Sequence, residues 1–208
     1  MTPPLPTPRL TPAFAVALAG AVLLLLLQAM AGALPVLEYR RALLATEPWR
    51  LLTAHLVHIN WTHASVNAGA WLVLARLFEP WLDAKRQLLS LLFGAALISL
   101  SLAAFYPSIE WYRGTSGALH ALFFAGACAS LAAALRRRSP AAALLPLALL
   151  AGGGIKVALE MPRDAATPYA EWLAAATVPQ AHLFGAIAGT ALGLLLALSQ
   201  RRRTVLNP

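Results

Sequence analysis

Hydrophobic residues run along this chain in long blocks, and the charged residues collect in the short gaps between them. Six stretches carry no Asp, Glu, Lys or Arg: residues 10–37, 51–75, 87–109, 114–135, 139–155 and 172–200. Crossing a hydrocarbon core of about 30 Å takes roughly 20 helical residues. The pattern therefore predicts six transmembrane helices. The alternating apolar strands of an outer-membrane barrel are absent, and an open sheet cannot satisfy its backbone in lipid. The expected fold class is all-α, a polytopic membrane protein. Residues 1–12, rich in proline, read as a disordered tail, 13–200 as the membrane domain and 201–208 as a basic cytoplasmic tail.

Composition agrees. Of the 208 residues, 60% are hydrophobic and 12% charged, about half the charged share of a soluble domain. That excludes a water-soluble fold. A net charge of +8 would ordinarily raise nucleic acid as a partner. Here the basic residues sit between apolar blocks, where arginine triplets at 136–138 and 201–203 act as topology determinants and headgroup contacts. The single cysteine, Cys128, lies inside the fourth block, so no intramolecular disulfide forms. Ala29-Met30-Ala31 resembles a signal-peptide cleavage site, but the apolar run before it exceeds the about 7–15 residues of such a segment, so a retained helix is expected. With the N-terminus in the cytoplasm, nine basic residues fall inside (Arg9, Lys85, Arg86 and the two triplets) and five outside (Arg40, Arg41, Arg50, Arg113, Arg163). The bias favours cytoplasmic N- and C-termini.

Polar residues inside a membrane are costly and are candidates for function. All five histidines, His55, His58, His63, His120 and His182, fall at or near the outer ends of helices in this orientation, and so does Ser116. Ser116 sits in a G-x-S-G motif with Gly114 and Gly117. Small neighbours leave room for a substrate backbone, and a helix N-terminus offers free N–H groups to an oxyanion. The same motif also serves as a plain helix-packing seam. Gly185, Gly189 and Gly193 recur every four residues in the sixth block, as do Gly117, Ala121 and Ala125 in the fourth. Pairing those stripes would bring Ser116 beside His182. A serine hydroxyl needs such a base within about 2.6–3.2 Å to become a nucleophile. His63 and Asn67, four apart on one helical face, suit either an oxyanion site or hydrogen bonds to neighbouring helices. Lys156 and Glu160 are also four apart; an ion pair is the simplest reading, with substrate binding the rival.

Taken in order, H-x-x-H-x-N-x-x-H-x-x-x-N from His55 to Asn67, G-x-S-G at Ser116 and A-H-x-x-G at His182 resemble the rhomboid intramembrane serine proteases, over about residues 13–200. The stretch from Ser116 to His120 looks like the rhombosortase branch; rhomboid proteases commonly carry tyrosine where His120 stands. The resemblance implies a six-helix rhomboid-like bundle in which Ser116 is nucleophile and His182 general base. His63, Asn67 and the Ser116 N–H would form the oxyanion hole, and His55 and His58 would hold structure. It implies a Ser–His dyad, and no acidic residue stands out in the spans to orient His182. His120 would stack on His182 as the rhomboid tyrosine does, or perturb its pKa through like-charge repulsion. No metal or other cofactor is required. Substrates would be exported membrane-anchored proteins with a C-terminal sorting tail: a Gly-Gly segment, an apolar stretch and basic residues. A lipid-like amine would accept the new C-terminus, and the enzyme would sit in a bacterial inner membrane with its site facing the periplasm. Three rivals stand beside this: a general rhomboid hydrolase, a non-catalytic rhomboid-like binder of membrane helices, and a zinc site on His55, His58 and His63. The H-E-x-x-H motif of intramembrane metalloproteases is absent.

Overall fold

The computed structural model of the chain describes residues 10–161 and 177–206. In chain order its helices are α1 (Pro12–Ala29), α2 (Ala33–Leu37), α3 (Arg50–Thr53), α4 (Trp61–Phe78), α5 (Ala84–Phe105), α6 (Ser116–Arg136), α7 (Pro140–Glu160) and α8 (Pro179–Leu206). Two short strands, β1 (Tyr39–Arg40) and β2 (Trp111–Tyr112), pair antiparallel, Tyr39 opposite Tyr112. Six long helices thus match the six apolar blocks. Among the described residues, five helices are long and apolar enough to cross a membrane; α4 is not among them. Thr62, His63, Asn67 and Arg76 dilute its apolar content.

Local chemistry sets where each helix begins. Thr11 Oγ1 accepts the Phe14 N–H at 3.3 Å ahead of Pro12. Asn60 Oδ1 accepts the His63 N–H at 2.9 Å, Asp83 Oδ1 the Arg86 N–H at 2.8 Å, and Ser139 Oγ the Ala142 N–H at 3.3 Å ahead of Pro140. These are N-caps, which satisfy donors the first turn leaves free.

The Asn60 cap corrects the second block. The charge-free block opens at residue 51, but the spanning helix starts at Trp61, and α3 with one 3₁₀ turn occupies residues 50–56. The first block likewise breaks at Met30 and resumes as α2. At the other end, α8 continues through the arginine triplet to Leu206, where a tail was expected. The expected N-terminal tail up to Arg9, and Arg163 of the basic residues expected outside, lie outside the described residues.

The segment between α1 and α4 is fastened by arginines. Arg41 donates to the carbonyls of Leu102 (2.6 Å), Ala103 (3.1 Å) and Tyr106 (2.8 Å), closing the C-terminus of α5. Buried Arg50 donates to the Pro35 and Glu38 carbonyls at 3.0 and 2.7 Å. Both count among the basic residues expected outside, and both hold the segment between α1 and α4 together.

Helix α6 is the axis of the bundle. In its apolar window 67% of residues are buried, against 17% in α7, which therefore lies at the edge. Against α6 packs α8, at backbone contact. A Cβ at Gly185 would land on the Gly117 carbonyl oxygen, one at Gly189 on that of Ala121, and one at Gly193 within 2.6 Å of the Cys128 Cβ. The two small-residue stripes thus pair as their spacing implies. In lipid, helices associate by such close packing, since burying apolar surface gains little there.

Gly189→Val should force α6 and α8 apart and cost about 2 kcal/mol or more, read as a lower melting midpoint in detergent. Gly154→Ala, with nothing within 4 Å of the added methyl, should leave the midpoint unchanged or slightly higher.

Candidate active site

Ser116 is the first residue of α6, and the loop leading into it is anchored at every residue. Tyr112 Oη donates to the Gly114 carbonyl at 2.8 Å, and the Gly114 N–H donates to the Ala54 carbonyl at 3.0 Å. The Thr115 N–H donates to His58 Nε2 at 3.4 Å, while Thr115 Oγ1 donates to the His55 carbonyl. Gly114 itself has φ +121°, a conformation side chains rarely adopt, and a Cβ there would sit 2.8 Å from the His63 ring. The glycine thus allows both the turn and the approach of His63.

His182 lies in the first turn of α8. Its Nε2 is 3.0 Å from Ser116 Oγ. The His120 ring stacks on it, centroids 4.2 Å apart and planes 17° from parallel. That is the stacking expected of His120.

His63 and Asn67 share the inner face of α4, both buried, and both line the cavity that holds Ser116 and His182. Among the described residues, His63 Nδ1 and Asn67 Nδ2 are buried without a hydrogen-bond partner. Buried polar atoms left unpaired are uncommon and call for an explanation; a charge developing in the cavity would supply one.

The cavity has a volume of about 400 Å³. Its walls are Val66, Ala70 and Leu74 of α4, Leu119 and Phe123 of α6, and Gly153 of α7. Its polar end is the Ser116–His182 pair. A second cavity of about 20 Å³ reaches the same pair from the side of Ile59, Trp111 and Arg113, and is large enough for a single water. Arg113 is tied down there: it lies 4.6 Å from the Trp111 ring centroid and 3.2 Å from Glu38.

Sequence reasoning missed Glu160. Expected to pair with Lys156, it does so at 2.8 Å through Oε1, but its other oxygen, Oε2, lies 2.8 Å from His182 Nδ1. The reading that no acid faces His182 is therefore overturned. Glu160 is the last residue of α7. A carboxylate ending an apolar helix was the available signal; no spacing within α7 could show which residue of α8 it would meet.

A model of the rhomboid domain matches residues 45–199. The chain belongs to the rhomboid family. It is therefore a multi-pass membrane protein of an intramembrane serine protease family. No curated relative matches the chain.

In this rhomboid the two histidines of the segment before α4 are neutral supports. His55 Nε2 lies 3.1 Å from Ser99 Oγ. Burial lowers its pKa to about 4, and burial with nearby His63 and His55 lowers that of His58 to about 3. The unfolded chain takes up these protons near pH 6.5 while the native protein refuses them, so stability falls as pH drops from about 6.5 toward 4. The slope should reach about 1.4 kcal/mol per pH unit for each histidine. Melting midpoints in detergent across that range should decline with pH, and less steeply for His58→Gln; a flat profile would contradict the assignment.

Proposed function

We propose that this rhomboid is a serine endopeptidase of the rhombosortase type. In this reading it cleaves the C-terminal sorting tails of exported membrane-anchored proteins and hands the new C-terminus to a lipid-like amine. The observation that carries the protease reading is the 3.0 Å contact between Ser116 Oγ and His182 Nε2, at the polar end of an otherwise apolar cavity.

The chemistry follows from those positions. Ser116 Oγ attacks the scissile carbonyl carbon while its proton passes to His182 Nε2. The carbonyl oxygen takes the negative charge, and the unpaired donors of His63 and Asn67, with the Ser116 N–H at the start of α6, stabilise it. As the C–N bond breaks, His182 gives its proton to the leaving amine. An amine or water then attacks the ester carbonyl, its proton again taken by His182, and Ser116 regains its hydroxyl. No step needs a metal.

The apolar walls suit a transmembrane segment entering between α4 and the lightly packed α7. Peptide bonds in such a segment are shielded by helical hydrogen bonds, and glycines weaken the helix enough to expose one. That supports a Gly-Gly cleavage site. The placement goes with it: a bacterial inner membrane, termini in the cytoplasm, site facing the periplasm. The rhombosortase assignment itself rests on the Ser116–His120 stretch, with histidine in place of the common tyrosine.

A general rhomboid hydrolase is the second reading, favoured by the 20 Å³ cavity, which admits water and excludes a bulky amine. Under the rhombosortase reading the amine would have to enter through the larger cavity after the tail has left.

Ser116→Ala should abolish tail processing, and full cleavage by that variant would refute the mechanism. Asn67→Ala should lower kcat about 100-fold with KM little changed. Mass spectrometry of exported proteins from cells with and without active enzyme separates the two readings: an added amine group on the new C-terminus supports rhombosortase chemistry, and a free carboxylate supports the hydrolase.

A further inference from the structure

Five hydrogen bonds leave Ser116 and return to it. His120 Nδ1 is 2.8 Å from the Ser116 carbonyl oxygen, His120 Nε2 is 3.2 Å from Lys156 Nζ, and Lys156 Nζ is 2.8 Å from Glu160 Oε1. Glu160 Oε2 is 2.8 Å from His182 Nδ1, and His182 Nε2 is 3.0 Å from Ser116 Oγ. The circuit joins α6, α7 and α8, and no residue of it is bonded twice to the same neighbour.

With both imidazoles neutral, donor and acceptor chemistry leaves this circuit one arrangement of protons. A backbone carbonyl only accepts, so His120 carries its proton on Nδ1 and presents a bare Nε2, which an ammonium, a pure donor, satisfies. A carboxylate only accepts, so His182 carries its proton on Nδ1 and turns a bare Nε2 toward the serine hydroxyl. That is the tautomer a general base needs.

A lone ion pair on a helix surface would not look like this. The Glu160 side chain is 4% exposed and the Lys156 side chain 38%. A carboxylate so buried at the end of an apolar helix is expensive unless both oxygens are engaged, and here one faces the lysine and the other the imidazole. Lys156 also keeps the resting group neutral overall, since the negative charge at Glu160 has its counterion inside the circuit.

We propose that Glu160, held by Lys156, is a positioning residue for His182, so that this rhomboid works with an acid-supported serine–histidine pair where the family pattern has a dyad. The proposal rests on the protease reading above. Glu160 keeps the imidazole in the productive tautomer and stabilises the imidazolium that forms when Ser116 gives up its proton. Lys156 occupies the outer carboxylate oxygen, leaving Oε2 to point at Nδ1, and stops the carboxylate from drawing the proton too strongly.

The test measures the rate at which a fluorophosphonate probe labels Ser116 in the purified full-length protein, across the pH range where an imidazole titrates. In that reaction the Oγ–P bond forms, fluoride leaves, and the hydroxyl proton goes to His182. The groups facing His182 are Ser116 and His120 from α6, Lys156 and Glu160 from α7, and His63 from α4, with Arg113 at the smaller cavity. Glu160→Gln keeps an acceptor for Nδ1–H and removes the charge. It should slow labelling at least about 10-fold and move the acid limb of the profile to lower pH, because imidazolium loses its counterion. Lys156→Met should move that limb the other way, to higher pH, with a smaller change in rate. Glu160→Ala should slow labelling by about 100-fold or more, and Glu160→Asp should recover part of that loss.

Opposite shifts of the limb at matched melting midpoints support the proposal. A purely structural ion pair would respond alike to loss of either partner. Glu160→Gln labelled at the wild-type rate with an unmoved limb, or Glu160→Gln and Lys156→Met shifting it in the same direction, overturns the proposal while leaving the protease reading intact. A wild-type protein that is never labelled at Ser116 overturns both.

Discussion

Everything at the candidate site depends on how closely α6 and α8 approach. The contact is backbone against backbone along one face, because Gly185, Gly189 and Gly193 present no side chain to the carbonyls of Gly117, Ala121 and Ala125. In lipid there is little hydrophobic gain from joining two apolar helices, so what holds them is the van der Waals contact that small residues permit. The same contact sets the relative height of the two helices. Ser116 opens one and His182 lies in the first turn of the other, so one packing register decides whether hydroxyl and imidazole meet.

A second constraint acts on the polar groups. In a bundle this apolar a buried donor or acceptor without a partner is costly, and most partners here come from different elements. His58 takes the Thr115 N–H, His55 faces Ser99, and Glu160 answers both Lys156 and His182. The result is a rigid frame in which the loop before Ser116 cannot shift without breaking bonds to the segment before α4. Of the six buried side-chain atoms left unpaired among the described residues, His63 Nδ1 and Asn67 Nδ2 are the two whose residues line the larger cavity, which is why the proposed mechanism gives them the developing charge.

Much of this was legible before any coordinates. The charge-free blocks marked the spans because bilayer thickness imposes their length. The four-residue glycine spacing foretold the α6–α8 pairing because helix geometry converts it into a smooth face. His63 and Asn67 fall on one side of α4 for the same reason. The start of α4 lies well inside its charge-free block because hydropathy cannot tell an apolar spanning helix from an apolar segment leading into it, whereas the Asn60 cap can. Glu160 escaped because its meaning is tertiary. Within α7 it has an obvious mate at Lys156, and only the packing of α7 beside α8 turns its second oxygen onto His182.

The central claim is that Ser116, His182 and the α4 donors converge on one reacting carbonyl. It is tested most directly by an experimentally determined structure of the enzyme with a phosphonate covalently attached to Ser116. The account predicts the P=O oxygen within hydrogen-bond distance of the Ser116 N–H and of the His63 and Asn67 side chains, with His182 Nε2 still beside Oγ and Glu160 still on Nδ1. A phosphoryl oxygen turned away from α4, or a His182 ring withdrawn from Ser116, would contradict it.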